Sequence, residues 1–290
     1  MANNFVLAKN YINLLDEVYK AASVTADLTS ASVLIRQGAN VNELVYPQLA
    51  VSGLGDYSRN SGYTDGSASL EWKTATFNYD RGVKLAVDVM DDQETFNLAF
   101  GQLGAELQRT KVAPEADAFV FATLAGVEGI SVAEAVTYTD GEAFLSALLA
   151  AKNKMDEDEV PAEGRILYAT PTLMNSVLAL DSYKSREALN AFAVKKAVPQ
   201  SRFYTAIDLL DGKSGGEEAG HYQKAAEGKE INFMIVHKPA VLKWDKHVVN
   251  DVIAPALNPN SDAYILKYRK YGIVDVYKNK VAGIYLSHKD

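Results

Sequence analysis

Apolar positions recur at two different spacings along the chain, and the switch between them marks its parts. Residues 11–20 place Tyr11, Ile12, Leu15, Val18 and Tyr19 on one side at helical spacing, which predicts a short amphipathic helix in an otherwise irregular N-terminal arm. From residue 40 to residue 88 the pattern is that of extended chain: residues 45–51, a polar, glycine-rich tip GLGDYSRNSGYTDGS, then residues 69–79 and 83–89. Leu70, Trp72, Thr74 and Thr76 alternate with Glu71, Lys73 and Ala75, while Val83, Leu85 and Val87 alternate with Lys84, Ala86 and Asp88. This two-residue period is that of a ribbon. A long hairpin with few large apolar residues near its tip buries too little surface to stand alone in water, so it needs a surface to lie on, in its own domain or elsewhere.

The period then lengthens. Phe96, Phe100, Leu103 and Leu107 recur at intervals of four and three, a helical stripe. Asp91 and Glu94 predict a capping-box-like start, Pro114 a kink or restart after Ala113, and Gly126 with Gly129 an end. Beyond Tyr138 the reading is mixed α/β. Thr139 and Glu142 form an expected capping box before Phe144, Leu145, Leu148 and Leu149; residues 165–169 are extended; Thr170 and Pro171 open a helix bearing Leu173, Val177 and Leu178. Residues 211–230 have the glycine and charge density of an exposed loop. Extended segments at 231–236, 264–268, 273–277 and 281–286 close the chain, the last two joined across Lys278-Asn279-Lys280.

Composition narrows the function by exclusion. With 48% hydrophobic and 23% charged residues, the chain can bury the core of one large domain or two smaller ones. A net charge of −8 argues against a duplex-coating or sequence-specific nucleic-acid role. The absence of cysteine removes disulfides, thiolate metal sites and cysteine nucleophiles together. No signal-like start and no run near the roughly 20 apolar residues of a spanning helix occur, so synthesis in the cytoplasm and no membrane partner are expected. The Gly212-Lys213-Ser214 ending of a phosphate loop lacks its first glycine, since Ile207 stands there, and Gly53-Leu54-Gly55 is followed by Ser58 where a dinucleotide fingerprint needs glycine. His221, His237, His247 and His288 have no metal-ligand spacing. An enzyme reading would rest on Asp91-Asp92, which reads as a helix start, or on residues 156–159, which read as solvated surface. No catalytic, cofactor-binding or metal residue is assigned, and the chain reads as a non-enzyme.

The order of parts then carries a resemblance. LDEVYKAASVTADL resembles the arm, DRGVKLAVDVMDDQET the end of the extended loop, EADAFVFATLAG the end of the spine helix, and FMIVHKPAVLKWDK with YRKYGIVDVYKNKVAGIYLSH the final strands of the major capsid proteins of tailed bacteriophages. Their fold is the Hong Kong 97-type capsid fold, which encapsulins share. The resemblance spans nearly the whole chain and implies an α+β fold: an N-terminal arm at 1–44, an extended β-hairpin loop at 45–90, a peripheral domain with the spine helix at 91–129 and 256–290, and an axial domain at 130–255. It implies assembly of copies through pentamers and hexamers into an icosahedral shell, made in the host bacterial cytoplasm. That shell would enclose double-stranded DNA without sequence-specific binding, with scaffolding and portal proteins as further partners and no cofactor. An encapsulin compartment holding a cargo enzyme is the alternative. Arg59, Trp72, Lys73 and Arg81 are the expected interface residues, because a ribbon clamped on a neighbour uses alternate side chains for packing and charge pairing. Covalent cross-linking in the best-known member joins a loop lysine to an asparagine. Lys73 and Asn279 are present, but nothing in the sequence pairs them, so non-covalent association is expected. No long charged helical leader precedes the arm, so scaffolding is expected to be a separate protein or a removed leader.

Overall fold

The computed structural model describes residues 23–30, 36–37, 42–60, 62–94 and 98–290; the helix expected at 11–20, and Phe96 of the helical stripe, lie outside them. The first half of the chain runs through strands β1 (Arg36–Gln37), β2 (Glu43–Val51), β3 (Ala68–Thr76) and β4 (Tyr79–Asp88), helices α1 (Val89–Glu94), α2 (Leu98–Leu107) and α3 (Ala113–Ala125), then β5 (Ser131–Val132) and α4 (Gly141–Glu157). The second half contains β6 (Arg165–Ala169), α5 (Pro171–Ala179), α6 (Tyr183–Asn190), β7 (Val194–Ala197), β8 (Ile207–Leu209), β9 (Tyr222–Lys224), β10 (Ile231–His237), β11 (Val241–Ile253), β12 (Ala263–Val276) and β13 (Ile284–His288).

The core is a five-stranded mixed sheet, β5-β13-β10-β6-β7, with helices on both faces. Its central strands carry continuous apolar runs because neither face meets water. In β6 and β10, Ile166, Tyr168, Met234 and Val236 pack toward Phe121 and Leu124 of α3, while Leu167, Phe233 and Ile235 pack toward Phe144, Leu148 and Met155 of α4 and Val177 of α5. β10 and β13 continue into a second sheet, β11-β12-β4, through two short 3-10 crossings at Lys238–Ala240 and Lys278–Gly283. These crossings lie so close that a Cβ on Gly283 would stand 2.8 Å from Cβ of Ala240 and 3.2 Å from that of His237.

Several local expectations are corrected. α1 begins at Val89, where the Asp88 carboxylate accepts from the Met90 N–H at 2.9 Å, so Asp91 lies inside the helix. The cap of α4 is Asp140, accepting from the Ala143 N–H at 2.7 Å, one residue after the expected Thr139; an aspartate caps as well as a threonine. Pro114 restarts a helix as predicted, and the chain absorbs it with a π turn at Gln108–Val112 immediately before α3. The expected loop at 211–230 contains β9, paired antiparallel with β8. Of the thirteen-residue β11 only residues 241–246 lie in a stretch that resembles the family's final strands, and periodicity predicts none of it; residues 264–268 and 273–276 belong to the single strand β12, which ends before Tyr277. Residues 83–88 are extended as expected, with Val89 already in α1, yet β4 leaves the ribbon and pairs with β12 from Ala263↔Asp88 to Gly272↔Tyr79.

Candidate assembly surface

The ribbon is β2 paired antiparallel with β3, in unbroken register from Glu43↔Thr76 to Val51↔Ala68, with β1 on the other edge of β2. Its root is buried: Leu44, Tyr46 and Ala75 pack with Leu242 and Ile273 of the second sheet. Beyond the root, cross-strand partners share one face, and that face is apolar and largely exposed among the described residues. Pro47 lies opposite Trp72, Leu49 opposite Leu70, and Val51 opposite Ala68; Leu49 is 63% exposed, Val51 70%, Leu70 58% and Trp72 49%. At 25 cal/mol per Å², a strip of this size is costly to leave in water. The tip is a turn closed by reciprocal bonds, Ser58 N–H to the Gly62 carbonyl at 3.0 Å and Gly62 N–H to the Ser58 carbonyl at 2.8 Å. Gly62 takes φ +79°, and Tyr57 and Tyr63 meet edge to face at 4.9 Å.

The structure does not gather the four expected interface residues at one place. Arg59 lies on the exposed tip turn. Trp72 is on the apolar face of β3, and Lys73 is on the opposite face, its Nζ 2.6 Å from Glu71 Oε2. Arg81 is on β4, held by its own chain: its Nε donates to Glu115 Oε1 at 2.7 Å, and a terminal N–H donates to the His221 carbonyl at 3.2 Å. Tyr79 also donates to Glu115 Oε1 at 3.2 Å, and His221 Nδ1 stands 3.5 Å from Oε2. Burial alone would raise the Glu115 carboxyl, but its contacts with His221 and Arg81 outweigh burial and hold it below the ordinary carboxylate range. Arg81 therefore ties the exit of the ribbon to α3 and to the loop that ends at His221, which itself takes φ +75°. A cavity of about 450 Å³ lies beside this node, lined by Val83, Leu85, Leu107, Lys111, Leu210 and Tyr268 among others.

A second anchor went unread in the sequence. Asp117 of α3 is fully buried and grips residues 23–25: its carboxylate accepts from the Ser23 hydroxyl at 2.8 Å, the Val24 N–H at 3.1 Å, the Thr25 N–H at 3.1 Å and the Thr25 hydroxyl at 2.8 Å. Arg202 closes the set at 3.2 Å. From the other side Lys243 Nζ donates to the Thr25 carbonyl at 2.8 Å and its hydroxyl at 3.0 Å, and Lys196 Nζ donates to the Val24 carbonyl at 2.8 Å. Burial, reinforced by the charge of Lys270, brings the Lys243 ammonium down to about 8. Leu28 then inserts into the cluster of Phe121, Leu124, Val241 and Val276. This clasp holds residues 23–25 against the body.

No family model matches the chain, and no curated protein matches it by sequence. Solved structures match it over nearly its whole length. A structure from Mycobacterium phage Che8 is 13% identical, covers 91% of this chain and 90% of its own, and has a TM-score of 0.59. The capsid structure of the cyanophage P-SCSP1u is 12% identical over 93% and 88%, with a TM-score of 0.58. The virus-like particle from Pyrococcus furiosus is 11% identical over 97% and 99%, also with a TM-score of 0.58. At such identities the likeness is one of fold: the chain has the mixed helix-and-sheet fold of phage capsid proteins. Among the described residues no helix is long and apolar enough to cross a membrane.

Proposed function

We propose that this chain is the major capsid protein of a tailed bacteriophage, a structural and non-catalytic subunit. Copies of it assemble through pentamers and hexamers into an icosahedral shell around a double-stranded DNA genome. The observation that carries this reading is the ribbon: a hairpin whose apolar face is largely exposed among the described residues, on a chain whose fold matches a phage capsid over 93% of its length. In this reading residues 1–44 are the arm, 45–90 the extended loop, 91–129 and 256–290 the peripheral domain, and 130–255 the axial domain. The ribbon face lies on a neighbouring copy, where burying Leu49, Val51, Leu70 and Trp72 releases the water they now hold. Scaffolding and portal proteins complete the partner set. The net charge of −8 suits a wall that encloses DNA without gripping it, since affinity for the duplex scales with the number of cations facing phosphate.

The P. furiosus virus-like particle keeps a shell of the encapsulin kind as a second reading. Gradient sedimentation of the expressed chain followed by nuclease treatment separates the readings. Particles that package DNA in the presence of a phage packaging system support the first. Particles that enclose a co-expressed enzyme and never package DNA support the second. A chain that sediments only as a monomer overturns both.

A further inference from the structure

β4 is the outer strand of the sheet β11-β12-β4, and no strand lies against its far edge among the described residues. The phase of its ladder is fixed at one end, where the Val89 N–H donates to the Asp262 carbonyl at 3.1 Å. The register with β12 runs without a slip from there to Gly272↔Tyr79, so bonded and non-bonded pairs alternate, and Lys267↔Lys84 is a non-bonded pair. The N–H and C=O groups of Gly82, Lys84 and Ala86 therefore point away from β12, and none of them has a hydrogen bond among the described residues. β4 has neither proline nor bulge to blunt this edge. The cavity of about 450 Å³ lies along it, lined by residues 81–85, by Leu107 and Val112, and by residues 210–213 and 218–221. Alternation turns the side chains of Val83 and Leu85 to the cavity and that of Lys84 to the other face of the sheet.

The acids at the two ends of β4 are engaged, Asp80 by Arg269 and Asp88 by the Met90 N–H. The cations between and around them are not. Lys84 stands directly opposite Lys267, at the kind of pair whose side chains approach most closely, with Cα atoms about 4.5 Å apart, and like charges so placed are destabilising. Asp251 lies opposite Lys267 on β11, yet neither lysine has an ion-pair partner among the described residues. Lys111 and Lys213 at the cavity wall have none among them either, whereas Asp211 and Glu218 already accept amides of their own loop, from Lys213, Ser214 and Gly216. We propose that this edge is a docking site for an extended acidic segment of a second protein, which adds to the sheet as a fourth strand. Gly82, Lys84 and Ala86 then form the bonded pairs. The residue opposite Lys84 shares its face, so an acid belongs there, and that residue's two neighbours turn into the cavity against Val83, Leu85 and Leu107, so they are apolar. The recognised pattern is apolar-acid-apolar. Lys84 also selects the partner: a second β4 edge centred on it brings Lys84 against Lys84 and Asp80 against Asp88, so the charge that admits an acidic strand turns away the same edge of another copy in that register.

The site does not depend on shell formation, so binding to the parent chain tests it directly. The probe is a fluorescent peptide, Ser-Leu-Glu-Leu-Glu-Leu-Ser, compared with a second in which lysine replaces both glutamates. The first is expected to bind and the second to bind about tenfold more weakly, and Lys84→Glu is expected to reverse that order. Ala86→Pro is expected to weaken the first about tenfold, because it deletes an N–H that the ladder with β12 does not use; an unfolding midpoint near the parent's checks that the variant folds. Hydrogen exchange resolved residue by residue gives the signature of an added strand. With the first peptide the amides of Gly82, Lys84 and Ala86 are expected to slow about tenfold or more, and those of Val83 and Leu85, already bonded to β12, to change little. Equal binding of the two peptides, slowing without this alternation, or no binding overturns the proposal. So does protection of the Gly82, Lys84 and Ala86 amides in the parent chain without peptide, since a second copy then covers the edge. Each of these outcomes leaves the shell reading standing.

Discussion

Replacing Asp117 with alanine removes five acceptor contacts at once: two backbone amides, two hydroxyls and the Arg202 guanidinium. Each bond to a charged group contributes about 1.5–3 kcal/mol net, so simple addition over the five gives about 7–15 kcal/mol. That sum overshoots, because the segment need not stay docked with its amides unsatisfied. It can leave, and the loss is then limited to the docking free energy of residues 23–30. Burial of Leu28 contributes about 2 kcal/mol of this, and the bonds from Lys243 and Lys196 add a little more. The expected cost is about 3–5 kcal/mol, the usual range for breaking a buried charged contact, and it falls locally. Hydrogen exchange with mass spectrometry reads it directly. In Asp117→Ala the Val24 and Thr25 amides should lose protection by two orders of magnitude or more, while those of β10 keep theirs apart from the contribution of Leu28. Unchanged protection at residues 24 and 25, or a loss below about 1 kcal/mol in denaturant unfolding, would refute the clasp.

Other outcomes follow from the same contacts. Trp72→Ala should cut particle yield with little change in unfolding of the isolated chain, because the side chain is half exposed; normal shells from this variant would remove it from the interface. Arg81→Glu should destabilise the chain by about 3–5 kcal/mol before assembly is considered, since it sets a second acid against the buried Glu115; unfolding within about 1 kcal/mol of the parent would contradict that pairing. Lys243 gives a pH signature. Its folded value of about 8 lies below the ordinary 10.5, so between these values the unfolded chain binds the additional proton and stability rises with pH. Relative to Lys243→Met, the parent should gain stability from pH 8 to 10, and a flat difference would contradict it. Above pH 10 the comparison with Met still holds, although burial has pushed Tyr222 up to about 12 and the unfolded tyrosines lose protons first, which lowers stability overall. Gly283→Ala should cost about 1–3 kcal/mol, seen as a lower thermal midpoint, because its Cβ has no room beside Ala240.

What the sequence disclosed followed periodicity. The ribbon strands, the restart at Pro114 and the buried run of β10 are written in spacing and punctuation, which act locally. β11 escaped because Lys243, Asp245, Lys246 and His247 interrupt its apolar positions, and their burial or pairing depends on partners far away: Lys270 for Asp245, Thr25 for Lys243. The clasp was hidden for the same reason, since an aspartate on a helix reads as solvated surface until residues 23–25 close over it. Arg81 showed the reverse. It is an expected contact between copies, and within its own chain, where the strand turns at Tyr79 into another sheet, the guanidinium also meets Glu115, a partner that no spacing announced.

If copies of this chain build a closed shell, cryo-electron microscopy of the purified, concentrated protein will show icosahedral particles, with the apolar face of each ribbon covered by a neighbouring copy. A chain that remains a dispersed monomer under all conditions, its ribbon bare, would contradict it.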